Sequence, residues 1–255
     1  MISNFFVKIS AALIIICANA CAQTEIQIVR IPGGTFIRGS NDGEDDERPV
    51  RAITVSGFSM MVKEVTEMQY KKCVDAGKCP ATHYRDGKCL QWTGREFRGV
   101  VVPKEFRGPN LPVVCVTWQH ARAYCASVGM KLPTEAQWEY AALGGAQSSR
   151  FSWGNSVPDK SRCAMGAPHQ VALFAPNGYG LYDMTGNVWE WTADFYDRDS
   201  YSYPQDTDPK GPESALYRTI RGGGWYSGVS ELRIQNRHWF SPNFAETSLG
   251  FRCVR

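Results

Sequence analysis

The segment Asn177–Thr192 reads NGYGLYDMTGNVWEWT and decides the fold of this chain. Glycine, asparagine and aspartate alternate with aromatic residues up to Gly186, and the segment ends in Trp189-Glu190-Trp191. This mixture predicts turns that lead into a short strand, because Gly, Asn and Asp favour turns and aromatic residues favour strands. The same composition extends from residue 146 to the C-terminus, so we expect short strands and turns there and no long helix.

The composition of the whole chain agrees with a loop-rich domain. Of its 255 residues, 43% are hydrophobic, and 24 glycines and 14 prolines accompany 8 tryptophans and 11 tyrosines. A chain of this length can bury a sizeable core in one domain, and no repeat or linker divides it. The net charge is +3 and the basic residues are scattered, so we expect no nucleic-acid partner.

The first residues predict export. Lys8 precedes a short apolar run, Ile9–Cys17, and small residues follow up to Ala22. The run is too short to span a membrane, and the small residues are typical of a cleavage site. We therefore predict a signal peptide over residues 1–22, cut after Ala20 or Ala22, and a domain over residues 23–255 in the periplasm or secreted. Lipidation of Cys21 is the alternative, and only then would the protein attach to a membrane.

Three helices are predicted in the first half of the chain. Thr66, Thr117 and Thr134 each stand where a helix can begin, and Gln69 and Gln137 complete capping boxes for the first and third.

Upstream, alternating apolar residues around a Pro-Gly-Gly turn at 32–34 predict a β-hairpin-like opening. The acidic run at 42–47 is interpreted as a solvated loop, with a cation site as the alternative. Residues 80–112 are interpreted as a long irregular loop.

Seven cysteines follow the second possible signal cleavage point. Behind a signal peptide, disulfides are expected rather than a metal site. The short spacing of Cys73 and Cys79 predicts a bond between them. An odd number leaves one thiol over, and the partners of Cys89, Cys115 and Cys163 stay open.

Blocks along the chain carry a recognisable signature. They are IPGGTF at 31–36, GS at 39–40, EVT at 64–66, PVVCVTW at 112–118, AYC at 123–125, KLPTEAQWEY at 131–140, FSWGN at 151–155, the segment at 177–192, RGGGW at 221–225 and LGFRC at 249–253. In this order they resemble the formylglycine-generating enzyme, or sulfatase-modifying factor, family over nearly the whole mature chain. The resemblance implies that family's irregular, loop-rich α+β domain, similar to a C-type lectin, and a disulfide between Cys125 and Cys253.

The resemblance also locates the family's copper site. Active members hold copper with two cysteines, and the corresponding positions here are Ser227 and Leu232. A hydroxyl and an alkyl chain cannot replace the thiolates that Cu(I) requires. Gly224 and Ser248 also depart from the family pattern. We therefore expect no copper and no formylglycine formation by the family's mechanism, and the catalytic residues of any other reaction are unknown.

A calcium site of the family is implied in the central segment. Its ligands would be the side chains of Asp183 and Glu190 and the main-chain carbonyls of Gly186 and Val188. Calcium takes several oxygen ligands in a loose shell, which suits such a loop. The alternative is a metal-free turn.

Two main hypotheses for function follow. The first is a binding or accessory domain for a protein, peptide or glycan, because aromatic, Arg and Asn side chains are typical of recognition surfaces. The candidate surface comprises Tyr226, Arg233, Asn236, Arg237, His238, Trp239 and Phe240. The second is a periplasmic tailoring enzyme, as for relatives without the cysteine pair that mature a secreted peptide or siderophore by oxidation. A formylglycine generator that uses Cys115 or Cys163 is a third alternative.

Overall fold

Short strands form small separate sheets in the structure, which is a computed structural model that describes residues 25–255. The predicted signal peptide lies outside the described residues. The strands are β1 (Ile28–Ile31), β2 (Gly34–Arg38), β3 (Arg51–Val55), β4 (Phe58–Met61), β5 (Cys89–Trp92), β6 (Phe97–Val100), β7 (Trp189–Phe195), β8 (Arg218–Arg221), β9 (His238–Phe240) and β10 (Leu249–Gly250). The predicted loop-rich α+β class is confirmed.

The largest sheet contains four strands in the order β10-β7-β8-β9. β7 pairs in parallel with β10 and antiparallel with β8, and β8 pairs antiparallel with β9. The segment that ends in Trp189-Glu190-Trp191 thus supplies a central strand, as its aromatic residues predict. β9 is the edge strand of this sheet, and its side chains border the candidate site.

The three predicted helices are confirmed. They are α1 (Glu67–Asp75), α2 (Trp118–Ser127) and α3 (Glu135–Ala142). The Thr66 and Thr134 side chains each accept from the third backbone N–H of the helix, and both capping boxes are complete. Within the described residues, no helix is long and apolar enough to cross a membrane.

The core forms where α2 packs against the large sheet. Trp118 and Tyr124 of α2 belong to one buried cluster with Trp189, Trp191 and Phe251. The indole N–H groups of Trp118 and Trp191 donate to main-chain carbonyls, so these large side chains bury no unsatisfied donor. The motif residues at the centre of the chain and at its C-terminus are therefore mainly core residues.

Three disulfides cross-link the domain. Cys73–Cys79 and Cys125–Cys253 are bonded as predicted. The third bond joins Cys89 to Cys115, whose pairing the sequence left open. Cys163 is buried and is the one cysteine among the described residues without a bond.

Two local predictions were wrong. The opening strands do not form one hairpin, because β1 pairs with β4 and β2 pairs with β3. The acidic run at 42–47 connects β2 to β3, and β2 and β3 together lie between β1 and β4 in the sequence. Neither pair is therefore connected by a tight turn. Residues 80–112 are not wholly irregular, since β5 and β6 form an antiparallel pair. Thr93 closes their turn, with its hydroxyl and its main-chain N–H both donating to the Glu96 carbonyl.

Candidate functional site

Two neighbouring cavities open beside β9. The first, called the acidic cavity here, has a volume of about 350 Å³. Its lining residues are Glu44, Asp45, Asp46, Tyr196, Arg198, Glu231, Asn236, Arg237, His238 and Trp239. The second, called the aromatic cavity, has a volume of about 220 Å³. Its lining residues are Trp92, Phe97, Trp189, Tyr226, Glu231, His238 and Phe240. His238 and Glu231 border both cavities.

Four residues of the predicted binding surface are accessible there. Trp239 is 37% exposed, and Tyr226, His238 and Phe240 are half-buried. Trp239 lines the acidic cavity, whereas Phe240 and Tyr226 line the aromatic cavity. This division follows the strand period, because successive side chains of β9 point to opposite faces.

The placement of Arg233 on a binding surface was wrong. It is 5% exposed, and its guanidinium donates to both oxygens of the Glu47 carboxylate at 2.6 and 2.8 Å. Glu47 itself is fully buried. A buried arginine keeps its charge only if it is paired, and the partner lies in the acidic run far along the sequence. The run is therefore a solvated loop only in part, since Asp46 and Glu47 are buried and Asp42 to Asp45 are not.

Asn236 and Arg237 are also buried. Both belong to the lining of the acidic cavity, but little of either side chain is exposed. The Arg237 guanidinium donates to both carboxylate oxygens of Glu135 at 2.7 and 3.0 Å and to the Asp46 carbonyl at 2.7 Å. Burial alone would raise the pKa of Glu135, but Arg237 and Arg221 outweigh it and lower the pKa to about 2. Arg237 therefore holds the structure together, and its role as a ligand contact was a wrong prediction.

Aromatic stacking shapes the accessible wall of the acidic cavity. The rings of Tyr196 and Trp239 stack with centroids 4.3 Å apart and an interplanar angle of 15°. The Tyr196 hydroxyl donates to Asp46 at 2.8 Å, which fixes its ring. Burial lowers the pKa of His238, so its imidazole is neutral near pH 7. The predicted surface thus presents one stacked aromatic pair and a neutral imidazole.

Ser227 and Leu232, which the resemblance predicts at the positions of the family's copper cysteines, are buried. The Ser227 hydroxyl accepts a hydrogen bond from the Gly224 N–H at 3.1 Å. Leu232 packs in a small cluster with Phe151 and Cys163. Burial raises the pKa of the Cys163 thiol to about 11, so the thiolate is disfavoured at neutral pH.

Another buried carboxylate, that of Glu246, was assigned no role by any sequence motif. Glu246 is fully buried and accepts from the Ser248 N–H at 2.6 Å and from the Ser248 hydroxyl at 2.8 Å. The Tyr226 hydroxyl lies close enough to the same carboxylate to affect its pKa. Burial raises the pKa of Glu246 to about 7, although these hydrogen bonds oppose the shift. Tyr226 connects this group to the aromatic cavity, which it lines.

The predicted calcium ligands lie around another buried carboxylate. The Asp183 carboxylate accepts from the Ala172 N–H, and the Glu190 carboxylate accepts from Arg252 and from the Trp138 indole. Glu64 was not predicted as a ligand. It is fully buried, one oxygen accepts from Asn187 at 2.8 Å, and the other has no partner in the described structure.

The predicted calcium site gathers buried carboxylates around Glu64. The negative charges of Asp183 and Glu190 act on the buried Glu64 carboxyl. Arg252, which pairs with Glu190, is the one arginine bonded to this group in the described structure. Burial and the two neighbouring acids raise the pKa of Glu64 well above its ordinary value. In the described part of the chain, no three His, Cys, Asp or Glu side chains could hold a metal by themselves. A cation would therefore need main-chain carbonyls, as the proposed ligands Gly186 and Val188 provide.

Comparisons with known proteins cover almost the whole chain. Residues 16–255 match the family described as sulfatase-modifying factor enzyme 1-like domain. The chain is 33% identical to the formylglycine-generating enzyme of Thermomonospora curvata, over 89% of this chain and 92% of that enzyme. It is 36% identical to the serine/threonine-protein kinase pkn1 of Chlamydia pneumoniae over 90% of this chain, but it spans 38% of the kinase's length. The solved structure of PvdO from Pseudomonas aeruginosa superimposes with a TM-score of 0.75 at 25% identity, covering 89% and 93% of the two chains.

Proposed function

The chain belongs to the sulfatase-modifying factor family, and we propose that it is an exported member that binds a ligand instead of making formylglycine. The observation that carries this proposal is the pair of cavities that share His238 and Glu231 beside one exposed strand. The ligand would contact Tyr226, His238, Trp239 and Phe240, and a protein, peptide or glycan would suit this surface.

The residues around the aromatic cavity support recognition of an extended ligand. The rings of Phe240 and Phe244 stack at 4.0 Å, and Phe97 meets Phe240 edge-on at 5.7 Å. Aromatic side chains supply large contact areas with few rotatable bonds, so they are effective anchors for peptides and sugars. Because most of these rings already pack against one another, little conformational entropy is lost on binding.

The proposal also holds that this chain has no copper site of the family's kind. Ser227 and Leu232 stand at the positions of the family's cysteines by sequence alignment. Ser227 is engaged by Gly224, and Leu232 is buried among apolar side chains. Neither side chain offers sulfur to Cu(I).

Export is supported by the three disulfides. Such bonds persist in oxidising compartments and are rare in the cytosol. They agree with the proposed signal peptide over residues 1–22 and with a periplasmic or secreted location. Lipidation at Cys21 remains the alternative form of export.

Calcium is proposed as a stabilising ion at Asp183, Gly186, Val188 and Glu190, with Glu64 as an additional acidic neighbour. The unpartnered Glu64 oxygen supports it. The ion would neutralise buried negative charge and take no part in catalysis.

Arrays of glycans and peptides test the binding function. The mature protein should bind a restricted set of them, and Trp239→Ala and Phe240→Ala should each weaken binding about tenfold or more, as for interface anchors. Leu216→Ala is the matched control, because Leu216 is 79% exposed and outside both cavities. Binding that is unaffected by both aromatic substitutions would place the ligand elsewhere and refute the proposal.

Glu246 favours a second candidate function, a tailoring enzyme for a secreted peptide or siderophore. A buried carboxyl with a pKa of about 7 can exchange a proton near neutral pH. The test is a deletion strain complemented with wild type or with Glu246→Gln, followed by mass spectrometry of exported peptides. An unmodified peptide that accumulates in the deletion strain should also accumulate with Glu246→Gln. Full complementation by the variant would rule out a proton-transfer role for Glu246.

A further inference from the structure

The charges of the acidic cavity do not balance. Glu44, Asp45, Asp46 and Glu231 line it, and Arg198 pairs with Asp45 at 2.8 Å. The other three carboxylates form no ion pair with a lysine or arginine in residues 25–255. The cavity therefore keeps negative charge that no neighbouring side chain neutralises directly.

The second arginine of the lining offsets this charge only in part. Arg237 shares the Glu135 carboxylate with Arg221 and lies near Asp46. Its Nε, Nη1 and Nη2 all donate to protein oxygens. Its guanidinium lies 5.1 Å from the Tyr196 ring centroid, so it is already engaged by one ring of the stacked pair. Only one N–H of Arg237, on Nη1, has no acceptor within residues 25–255, so this buried side chain offers little to an anionic ligand.

A buried polar group of the lining also lacks a partner. Asn236 is 5% exposed and lines the acidic cavity, and its Oδ1 accepts no hydrogen bond within the described structure. A buried acceptor without a donor costs about 1–3 kcal/mol, so a ligand that donates to it after a small shift of the Asn236 side chain would recover that cost. This atom lacks a donor, and the carboxylates of the lining carry charge without a cationic partner of their own.

The aromatic wall suits a positive charge as well. Trp239 is 37% exposed and lines the same cavity as Glu44 and Glu231. The face of an indole attracts an ammonium or guanidinium group by its quadrupole. Carboxylates, an unsatisfied carbonyl oxygen and an accessible indole thus all favour a cationic donor.

We propose that the acidic cavity binds an organic cation, namely a primary ammonium or guanidinium group. The inference deepens the proposed binding function by naming the ligand chemistry of one half of the surface. The cation can be a lysine or arginine side chain of a peptide or a free polyamine, since both present the same donors.

Calorimetric titration with three probes tests the proposal on the mature protein. The probes are spermidine, the blocked peptide acetyl-Gly-Lys-Gly-amide, and the same peptide with its lysine Nε-acetylated. At least one charged probe should bind one to one, and the acetylated peptide should not, because it has lost the charge. Preference for spermidine or for the lysine peptide distinguishes the two sources.

Two substitutions in the cavity and one control locate the site. Glu44→Gln and Trp239→Leu should each weaken binding about tenfold, as for the loss of one charge-assisted contact. Asp75→Asn removes the same charge from the exposed end of α1 and should leave affinity unchanged. Circular dichroism confirms that each variant is folded.

Three results would overturn the inference: no saturable binding of either charged probe, equal weakening by Asp75→Asn, or displacement of the probe by millimolar Mg²⁺ or Ca²⁺. A failure of the proposed binding function would give a different set of results from a failure of the cation site. In that case the charged probe binds as expected, but no ligand on the arrays depends on Trp239 or Phe240. Conversely, array ligands lost in Phe240→Ala with no cation binding would leave the binding function intact and refute the cation site.

Discussion

Arg233 and Glu47 form a buried bidentate ion pair between residues 186 positions apart in the sequence. The pair connects the turn after the RGGGW block to the acidic run that borders the acidic cavity. Gly43 packs directly over it, where a Cβ would collide with both side chains. The position of the cavity wall therefore depends on this contact.

Removing one partner of this pair should destabilise the fold strongly. Arg233→Met leaves Glu47 buried without a partner, so the free energy of unfolding should fall by about 3–5 kcal/mol. The double variant Glu47→Leu/Arg233→Met should lose less, because no charge is then stranded. Urea unfolding measures both, with Arg98→Met as control, since the exposed pair of Arg98 with Glu96 contributes less than about 1 kcal/mol. Equal losses for Arg233→Met and Arg98→Met would contradict the expectation.

Calcium should raise the melting temperature if it binds near Asp183. At a hundredfold excess over the dissociation constant, the increase should be about 5–10 °C for a domain of this size. Asp183→Asn should reduce the increase, whereas Asp75→Asn should not. Identical melting curves for metal-stripped protein with and without calcium would refute the calcium proposal.

Purified protein should not convert a sulfatase-type cysteine peptide to its aldehyde. Ser227 and Leu232 supply no thiolate for copper, so incubation with copper and reductant in air should leave the peptide mass unchanged. Introducing Ser227→Cys and Leu232→Cys together should not suffice, because Gly224 and Ser248 are also predicted to differ from the family pattern. Copper-dependent conversion by the wild-type chain would show that other residues perform the reaction. Cys163 would be the first to mutate, because Cys115 is bonded to Cys89.

Glu246 should make stability fall as pH rises from about 4.5 to about 7. Its pKa is raised in the folded protein, so in this range the folded state binds more protons than the unfolded state, and unfolding becomes easier with rising pH. A tenfold difference in proton affinity between the two states corresponds to about 1.4 kcal/mol. Asp194, whose pKa burial also raises to about 7, contributes the same sign and is retained in Glu246→Gln. Urea unfolding across this range should give a shallower slope for Glu246→Gln, and an unchanged slope would contradict the raised pKa.

Local signals explain why the helices were predictable. A threonine cap and a glutamine three residues later act within one turn, so Thr66 and Thr134 identify helix starts without any tertiary information. The Cys125–Cys253 bond was implied by the family resemblance. The β5–β6 pair was missed because its strands are short and lie in a segment rich in Gly and Arg.

The errors at the site have a tertiary origin. Charged side chains are usually exposed, so Arg233 and Arg237 were expected on the surface. Their partners, Glu47 and Glu135, lie 186 and 102 positions away. Neither pairing leaves a local pattern in the sequence, and neither does the burial of Glu64 and Glu246.

The reactivity of the Cys163 thiol can be used to measure how often the domain opens locally. It lies beside Leu232 and Phe151, and its raised pKa makes it unreactive while that cluster stays closed. The six cysteines in disulfides give no background labelling under non-reducing conditions. In mature protein cut after Ala22, the rate at which a thiol reagent modifies Cys163 would therefore report how often this corner of the molecule exposes its interior, and whether a bound ligand makes that event rarer.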